Sequence, residues 1–190
     1  TDTRFQELAS PTLDAEVLLA HALGVTKPQL FSRLNFSVSS TQEQKFRQGI
    51  ERRLAHEPVA YITGRKYFYG RAFDVTRDVL IPRPETETLV EEALRVFKLY
   101  EEHSEKVRFA DVGTGSGAIA VILAAETHKS VLASDISPEA LVLARKNAAT
   151  HHVEDQIMFV QGNLLEPMVP ILGETRPDHT ILTANLPYLT

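Results

Sequence analysis

The sequence predicts an α/β protein in which a small helical bundle and a β-hairpin connector precede a doubly wound parallel sheet. Two observations carry this prediction: strand-like and helix-like segments alternate from about residue 107 to residue 184, and a glycine-rich turn follows the first of those strands. Such alternation indicates a parallel sheet whose ligands bind beyond the carboxyl ends of its strands. We therefore place the bundle at 1–57, the hairpin linker at 58–83 and the sheet domain at 84–190.

Composition narrows the class of protein. The 190 residues are 43% hydrophobic, enough for one large core or for two smaller ones. The absence of cysteine rules out a disulfide framework and a cysteine-based metal site, and it agrees with a reducing compartment. No apolar run reaches the roughly 20 residues that span a bilayer, and no signal-peptide pattern is present. We expect a soluble, cytoplasmic protein with no membrane contact and no metal.

Charge is unevenly distributed along the chain. The net charge is −5, whereas residues 84–190 carry 8 basic and 16 acidic side chains, a net charge of −8. An acidic surface repels phosphate backbones, so we expect no sequence-specific binding of nucleic acid. Residues 61–83 carry a net charge of +3. This basic stretch could contact RNA or an acidic protein, although a solvated hairpin surface is the simpler interpretation.

The first 56 residues have the spacing of a helical bundle. Apolar residues recur at helical intervals over 12–23, and Gly24 follows where a C-terminal cap belongs. Pro28 can open a short second helix at its first position. Ser40 followed by Glu43 has the spacing of a capping box ahead of a third helix. Nothing in this region has the pattern of a catalytic site.

The connector and the helix after it are punctuated by glycine and proline. Short aromatic and β-branched pieces, broken at Gly64 and Gly70, predict strand pieces at 61–63, 67–69, 73–75 and 79–81. Two prolines then end the connector, and two carboxylates stand in the first turn of a helix, where the helix dipole favours them. These four residues are Pro82, Pro84, Glu85 and Glu87.

The sheet domain alternates regularly after that helix. A helix is predicted from about residue 116 and another from Ser137-Pro138. The four predicted strands lie near 107–112, 130–135, 157–161 and 179–184.

The turn after the first of these strands reads Asp111-Val112-Gly113-Thr114-Gly115-Ser116-Gly117-Ala118 and opens a helix. Glycines let the backbone turn tightly and let a ligand approach the amides of a helix N-terminus. The turn also satisfies the dinucleotide pattern G-x-G-x-x-G/A, which keeps a dehydrogenase as a distant alternative. The cofactor-binding residues predicted here are Asp111, Gly113, Thr114, Gly115, Ser116 and Gly117.

Several side chains bear on the identity of the cofactor. Asp111 stands where a carboxylate suits the ammonium group of S-adenosylmethionine better than a pyrophosphate. Asp135 ends the next strand, and its carboxylate can accept both ribose hydroxyl protons. Asn163 and Leu164, after the third strand, can contact the adenine. The plainer interpretation is a tight turn at the glycines, a polar loop at Asn163 and a helix cap at Asp135, with Ser137 as a competing cap.

An acceptor site is predicted after the fourth strand, at Asn185-Leu186-Pro187-Tyr188. Pro187 holds Leu186 extended and has no N–H, which leaves carbonyl oxygens free to face a ligand. With the side-chain oxygen of Asn185, they offer acceptors to a planar NH2 group beside the ring of Tyr188. An amide nitrogen is a poor nucleophile, so the protein contributes orientation, and we propose no general base. The plainer interpretation is an Asn-x-Pro turn at a strand end.

Together these segments resemble, in order and spacing, the bacterial release factor glutamine methyltransferases, the HemK or PrmC family. The resemblance covers nearly the whole chain, and the stretch Ile-Pro-Arg-Pro-Glu-Thr-Glu at 81–87 is its most specific part. It implies a Rossmann-like class I S-adenosylmethionine-dependent methyltransferase domain after the helical bundle. The matching segments are 58–64, Phe68, 80–87, 111–120 and 185–188.

The resemblance also implies the reaction and the partner. The enzyme would methylate N5 of the glutamine in the Gly-Gly-Gln motif of peptide chain release factors and release S-adenosylhomocysteine. Asn185, Pro187 and Tyr188 would be the catalytic residues, Asn185 would also contact the cofactor, and the bundle would help to bind the release factor. We expect a monomer. The implied substrate-binding residues are Phe68, Pro82, Arg83, Pro84, Glu85, Glu87, Asn185, Leu186, Pro187 and Tyr188.

Two departures from the family pattern bear on the site. The family's tetrapeptide is usually Asn-Pro-Pro-Tyr, and Leu186 loses one ring's rigidity while keeping its carbonyl. Asn-Leu-Pro-Tyr also occurs in ribosomal RNA adenine dimethyltransferases, which keeps an N6-adenine methyltransferase acting on RNA or DNA as an alternative. The family's usual acidic residue near Asn163 is missing, which bears on the adenine contact.

The sequence ends at Thr190, whereas methyltransferases of this class continue with three more strands. We therefore expect a truncated chain with an exposed apolar sheet edge. A fragment that binds the cofactor or a partner without catalysis is a further alternative. A ribosomal protein stays beside the release factor as the possible glutamine substrate.

Overall fold

The computed structural model describes residues 10–32, 37–103, 105–174 and 177–186. The chain divides into two compact units, 1–64 and 65–190. The boundary between them falls at Gly64, inside the predicted linker of 58–83. Each unit has its own elements, and the predicted site residues all belong to the second.

The described part of the first unit is helical, as predicted. Leu18 is only 2% exposed and packs beside Gly49, where a Cβ would stand 3.4 Å from the Leu18 Cδ2 atom. An ion pair of 2.7 Å between Arg53 and Asp14 joins the third helix to the first. The second helix begins one residue before Pro28. The helices are α1 (Pro11–Leu23), α2 (Lys27–Ser32), α3 (Ser40–Leu54) and α4 (Val59–Thr63).

The caps of these helices confirm one prediction and correct another. Gly24 closes α1 in the left-handed conformation, with φ of 71°. The predicted capping box of Ser40 and Glu43 is wrong by one residue, because Ser40 is already the first helical residue of α3. Ser39 has the extended backbone of a cap, and its hydroxyl accepts the N–H of Gln42 at 3.3 Å. The Gln42 side chain accepts the Ser39 N–H in return.

The connector is a hairpin, but two of the predicted strand pieces are wrong. Residues 61–63 belong to α4, which Pro58 opens and Gly64 ends with φ of 71°. Residues 79–81 form no strand, because the chain turns just before them, where the Thr76 hydroxyl accepts the N–H of Asp78. The hairpin itself pairs β1 (Arg65–Phe68) with β2 (Arg71–Asp74) in antiparallel register.

The rest of the second unit alternates strand and helix, as the sequence predicts. No helix in the described parts of either unit is long and apolar enough to cross a membrane. The elements are α5 (Thr86–Glu102), β3 (Val107–Val112), α6 (Ala118–Thr127), β4 (Val131–Asp135), α7 (Pro138–Thr150), a 3₁₀ turn (Glu154–Gln156), β5 (Ile157–Gln161), α8 (Val169–Glu174) and β6 (His179–Ala184).

The four later strands form one parallel sheet in the order β5-β4-β3-β6. Strand β3 therefore lies between β4 and β6, and Asp111 of β3 is paired with Thr183 of β6. Because all four strands run the same way, the segments that follow them meet at one edge of the sheet. This edge is where the predicted site residues lie.

The main core of the second unit lies between the sheet and three helices. Helix α6 is apolar on every side and is buried from Ala118 to Ala124. Helix α5 turns one apolar face to this core, with Val90, Ala93 and Phe97 buried. The hairpin joins this core through Phe68 and Phe73, whose rings meet edge to face at 6.2 Å. The other face of the sheet has a smaller core of Ala110, Val112, Leu132 and Met168.

Candidate functional site

The glycine-rich turn follows β3 and has the backbone that the sequence predicts. Gly113 has φ of 68° and Gly115 has φ of 54°, values that favour glycine. Gly117 precedes α6, and a Cβ on it would stand 3.0 Å from the Cβ of Ala144 in α7. The third glycine therefore lets two helices pack closely, while the first two shape the turn itself.

Asp111 lies beneath this turn and is only 1% exposed. Its carboxylate accepts the hydroxyl of Thr114 at 2.7 Å and the hydroxyl of Thr183 at 2.8 Å. Burial raises the pKa of Asp111 to about 6, the hydrogen bonds from Thr114, Thr183 and the Ala120 backbone oppose the shift, and the charge of Asp135 adds to it. Asp111 thus binds the protein's own hydroxyl groups and lines neither of the cavities described below.

Asp135 ends β4 and is half-buried. One carboxylate oxygen accepts the N–H of Gly115 at 2.8 Å, and the other accepts the N–H of Ser137 at 3.0 Å. The cap of α7 is Ser137, whose hydroxyl accepts the N–H of Ala140. Asp135 is therefore not the helix cap of the plainer interpretation, and it fixes the glycine turn.

Across the described ranges, no group of three or more His, Cys, Asp or Glu side chains could hold a metal ion.

Asn163 and Leu164 follow β5 and are exposed. The Asn163 amide donates to Glu166 at 3.3 Å, and the Leu164 carbonyl accepts the hydroxyl of Ser134 at 2.9 Å. Leu164 has a positive φ of 50°. Both residues follow a strand at the predicted edge of the sheet, but they line neither of the two cavities described below, and Asp135 does not line them either.

Two adjoining cavities lie where the glycine turn meets the end of β6. They share Leu80, Thr86 and Asn185. The smaller cavity, of about 40 Å³, is lined by Phe68, Leu80, Pro82, Thr86, Gly113, Thr114, Gly115, Ser116, Ala118, Ile119 and Asn185. The larger cavity, of about 530 Å³, is lined by Leu80, Arg83, Glu85, Thr86, Leu89, Asn185 and Leu186.

Asn185 stands between these cavities. Its amide nitrogen donates to the hydroxyl of Thr86 at 3.2 Å, at the start of α5. This bond fixes which way the amide faces and leaves its oxygen as an acceptor with no partner among the described residues. The Cδ2 atom of Leu186 lies beside Gly113. The predicted residues Pro187 and Tyr188 lie outside the described residues.

The predicted substrate-binding residues of the connector divide into two groups. Phe68 and Pro82 line the smaller cavity, and Arg83 and Glu85 line the larger one. The exposed Pro84 lines neither. Glu87 turns to the hairpin instead, where its carboxylate accepts the N–H of Tyr69 at 2.8 Å. Burial raises the pKa of Tyr69, and the negative charges of Glu91, Glu126 and Glu87 add to the rise.

Sequence reasoning missed the roles of three polar residues that organise this region, although one of them, Thr86, lies in the matching segment 81–87. Thr86 holds Asn185, Thr183 holds Asp111, and Asn147 of α7 bonds to the backbone of Asp74 and of Ser116. All three are less than 9% exposed. Each is a polar residue at a position where an apolar face is expected. This pattern could have identified them from the sequence, because buried polar groups need partners.

Family models match both parts of the chain. Residues 2–64 match the PrmC N-terminal domain, and residues 109–189 match a methyltransferase domain. The release factor glutamine methyltransferase of Bacillus subtilis is 40% identical over 93% of this chain and 59% of its own length. The enzyme of the same name from Coxiella burnetii is 39% identical over 95% of this chain and 61% of its own length. The chain thus spans about three fifths of these relatives.

A solved structure supports the fold. The N-terminal domain of human METTL16, in complex with S-adenosylhomocysteine, superposes with a TM-score of 0.51 at 23% identity, over 64% of this chain and 48% of that one. At this identity the likeness shows the fold alone. Together with the methyltransferase-domain match, it confirms the predicted Rossmann-like class I methyltransferase fold.

Proposed function

The chain belongs to the PrmC family of release factor glutamine methyltransferases, and on that premise we propose that it methylates N5 of the glutamine in the Gly-Gly-Gln motif of peptide chain release factors. The methyl donor is S-adenosylmethionine, and the product is S-adenosylhomocysteine. One observation of the structure carries the proposal: the glycine turn and Asn185 line the same cavity. A donor at the turn and an amide at Asn185 would therefore meet.

The turn fits the proposed cofactor. Bound S-adenosylmethionine supplies a methyl group on a sulfonium, which reacts with a nucleophile without a metal. A carboxylate has about four lone-pair positions, and Asp135 uses only two of them on the N–H groups of Gly115 and Ser137. Asp135 thus retains acceptors for ribose hydroxyls. Since both Asp111 oxygens hold threonine hydroxyls, we assign Asp111 to shaping the turn and not to a direct contact with the ammonium group.

The acceptor corner fits a carboxamide. The Thr86 hydroxyl accepts a hydrogen bond from the Asn185 NH2 group. The Asn185 oxygen is therefore the atom that can accept a hydrogen bond from the N–H of the substrate amide. Leu186 gives the larger cavity an apolar wall beside Arg83 and Glu85. This mixture suits a peptide segment with one polar side chain. The catalytic contribution proposed here is orientation of a weak nucleophile next to the methyl group. The new C–N bond would form as the S–CH3 bond breaks, S-adenosylhomocysteine would leave with the electron pair, and the amide nitrogen would release one proton to water without a general base.

The remaining expectations follow from the same proposal. We assign the helices of residues 1–64 to binding the release factor, with the chain acting as a monomer in the cytoplasm, where translation ends. The acidic second unit makes RNA a weaker substrate. Three alternatives would replace this assignment if the experiment below supports them. They are an adenine methyltransferase, an enzyme that methylates a ribosomal protein, and a fragment without catalytic activity.

Transfer of labelled methyl groups tests the proposal. The chain is first titrated with S-adenosylhomocysteine by calorimetry, and heat of binding is expected. It is then incubated with labelled S-adenosylmethionine and either a release factor, the same factor with the glutamine of Gly-Gly-Gln changed to alanine, ribosomal proteins or ribosomal RNA. We expect label on the intact release factor alone, with N5-methylglutamine in its peptide by mass spectrometry.

Asn185→Ala provides the matched control within the chain. It should abolish label on the release factor and weaken the binding of S-adenosylhomocysteine to a lesser degree, because the glycine turn and Asp135 are unchanged. Label on RNA or on a ribosomal protein would replace the proposed substrate. A silent titration, or binding without transfer to any substrate, would leave the fragment interpretation.

A further inference from the structure

We propose that Thr183 is a positioning residue for methyl transfer, because through Asp111 it fixes the acceptor strand β6 to the glycine turn. The inference rests on the proposed function for its kinetic part. Its structural part concerns only this chain: a buried bridge runs from Thr114 in the turn, through the Asp111 carboxylate, to Thr183 in β6.

The geometry of the bridge is well defined. The Thr114 hydroxyl donates to one carboxylate oxygen at 2.7 Å, and the Thr183 hydroxyl donates to the other at 2.8 Å. Asp111 and Thr183 are each 1% exposed, and Thr114 is 7% exposed. Bonds to an ionised acceptor are stronger than neutral ones, and burial strengthens them further. One carboxylate therefore ties two separate segments together.

Both ends of the bridge reach the site. Thr114 itself lines the smaller cavity, and Asn185, two residues beyond Thr183, lines both cavities. Asp111 and Thr183 are also partners in the register of β3 and β6. A shift of either strand end would therefore move Asn185 relative to the turn.

The attachment of Asn185 to the sheet depends on side chains as well as on backbone pairing. The ladder to β3 ends with Ala184, and Asn185 follows directly. Side-chain bonds near that end are what can hold Asn185. The described ones run from Thr183 to Asp111 at 2.8 Å, with a longer contact of 3.4 Å to the Ala110 carbonyl, and from Asn185 to Thr86.

The pKa of Asp111 gives a readout that simple packing would not change. The Thr183 hydrogen bond stabilises the ionised carboxylate and so opposes the rise in pKa to about 6 that burial causes. The other groups acting on this carboxylate are the Thr114 hydroxyl, the Ala120 backbone N–H and the charge of Asp135 on β4. Removing the Thr183 hydroxyl should therefore raise the pKa of Asp111 further.

Thr183→Val tests the bridge, since valine has the shape of threonine without its hydroxyl. We expect kcat for methyl transfer to fall about tenfold, with the affinity for S-adenosylhomocysteine within about twofold of the parent. The acid limb of the rate profile should move to higher pH, together with the NMR titration of the Asp111 carboxyl. Thr183→Ser should restore all of these values, and Thr183→Ala should repeat the loss without an added methyl group.

Thr180→Val is the control, because Thr180 is an exposed threonine of the same strand. It should leave kcat and the Asp111 titration unchanged. An unchanged kcat in Thr183→Val, or an equal fall in Thr180→Val, would overturn the proposal. If the parent transfers no methyl group, the proposed function fails separately, and amide hydrogen exchange at 184–186 decides instead. Exchange must then be faster in Thr183→Val than in Thr183→Ser for the bridge to stand.

Discussion

A Cβ atom built on Gly113 would stand 2.5 Å from the Cδ2 atom of Leu186. The turn after β3 and the corner after β6 are therefore in direct contact at this point. Leu186 also lines the larger cavity, so its side chain joins the proposed donor and acceptor regions. A larger or smaller side chain at either residue should therefore shift the position of the other.

Gly113→Ala should impair methyl transfer by displacing Leu186 and should also lower the free energy of unfolding by about 1–2 kcal/mol, because alanine disfavours a positive φ. Adding Leu186→Ala makes room for the new Cβ and should recover part of the lost kcat. Gly115→Ala is the matched control, since it has a positive φ of 54° and nothing within 4 Å of a Cβ. A response of Gly115→Ala to the second substitution would contradict this contact. Urea unfolding and single-turnover transfer supply both measurements.

Asp111→Asn should flatten the dependence of stability on pH. The folded-state pKa of about 6 exceeds the ordinary value of 3.8, so the folded state holds this proton more tightly and loses stability as pH rises through that window. From pH 4 to pH 7 the parent should lose about 2 kcal/mol relative to Asp111→Asn. Urea unfolding at several pH values measures the difference. A constant difference over this range would show that the carboxyl titrates normally.

Glu87→Ala should loosen the hairpin and with it the Phe68 wall of the smaller cavity. The substitution leaves the part-buried N–H of Tyr69 without its acceptor, at a residue with a positive φ of 51°. We expect a loss of about 1–2 kcal/mol in the free energy of unfolding. Faster amide exchange should appear at 68–70. Glu91→Ala, an exposed carboxylate on the same helix, should leave both measurements unchanged.

Asn147→Leu should be the most destabilising of these changes. Its amide accepts the N–H of Asp74 at 2.9 Å and donates to the carbonyls of Asp74 and Ser116 at 3.0 and 2.8 Å. Leucine fills the volume but leaves all three groups unpaired, at a cost of about 3 kcal/mol or more. Asn163→Ala, at an exposed amide, should change stability by less than about 0.5 kcal/mol. Equal effects of the two substitutions on the thermal midpoint would refute this role.

The sequence predicts those parts of the molecule that depend on local pattern. The strands of the parallel sheet, the cap at Gly24 and the turn at Gly113 follow from hydrophobic runs and from the backbone freedom of glycine. The strand assignment at 61–63 is wrong because a three-residue aromatic and β-branched piece is too short to show a period of its own. Pro58 begins a helix before it, and Gly64 ends that helix after it. Local pattern alone therefore fails where an element is very short.

The partners of polar side chains are harder to predict. Asp111 and Glu87 are predicted at a ligand, yet each binds a group of the protein that is distant in sequence. Thr183 and Asn147 give no motif, because their importance comes from partners 72 and 73 residues away in sequence. Such partners are fixed by the register of the sheet and by helix packing, which one sequence does not specify residue by residue.

The order β5-β4-β3-β6 also affects how the chain is made. Strand β3 pairs first with β4, the next strand in sequence, but its other neighbour is β6, which begins at His179. During synthesis, one side of β3 therefore stays unpaired while the ribosome adds the intervening residues. Contacts of such long sequence separation form slowly, and an open strand edge attracts other chains in the meantime. The open side of β3 therefore exposes the nascent protein to aggregation in the interval before β6 emerges.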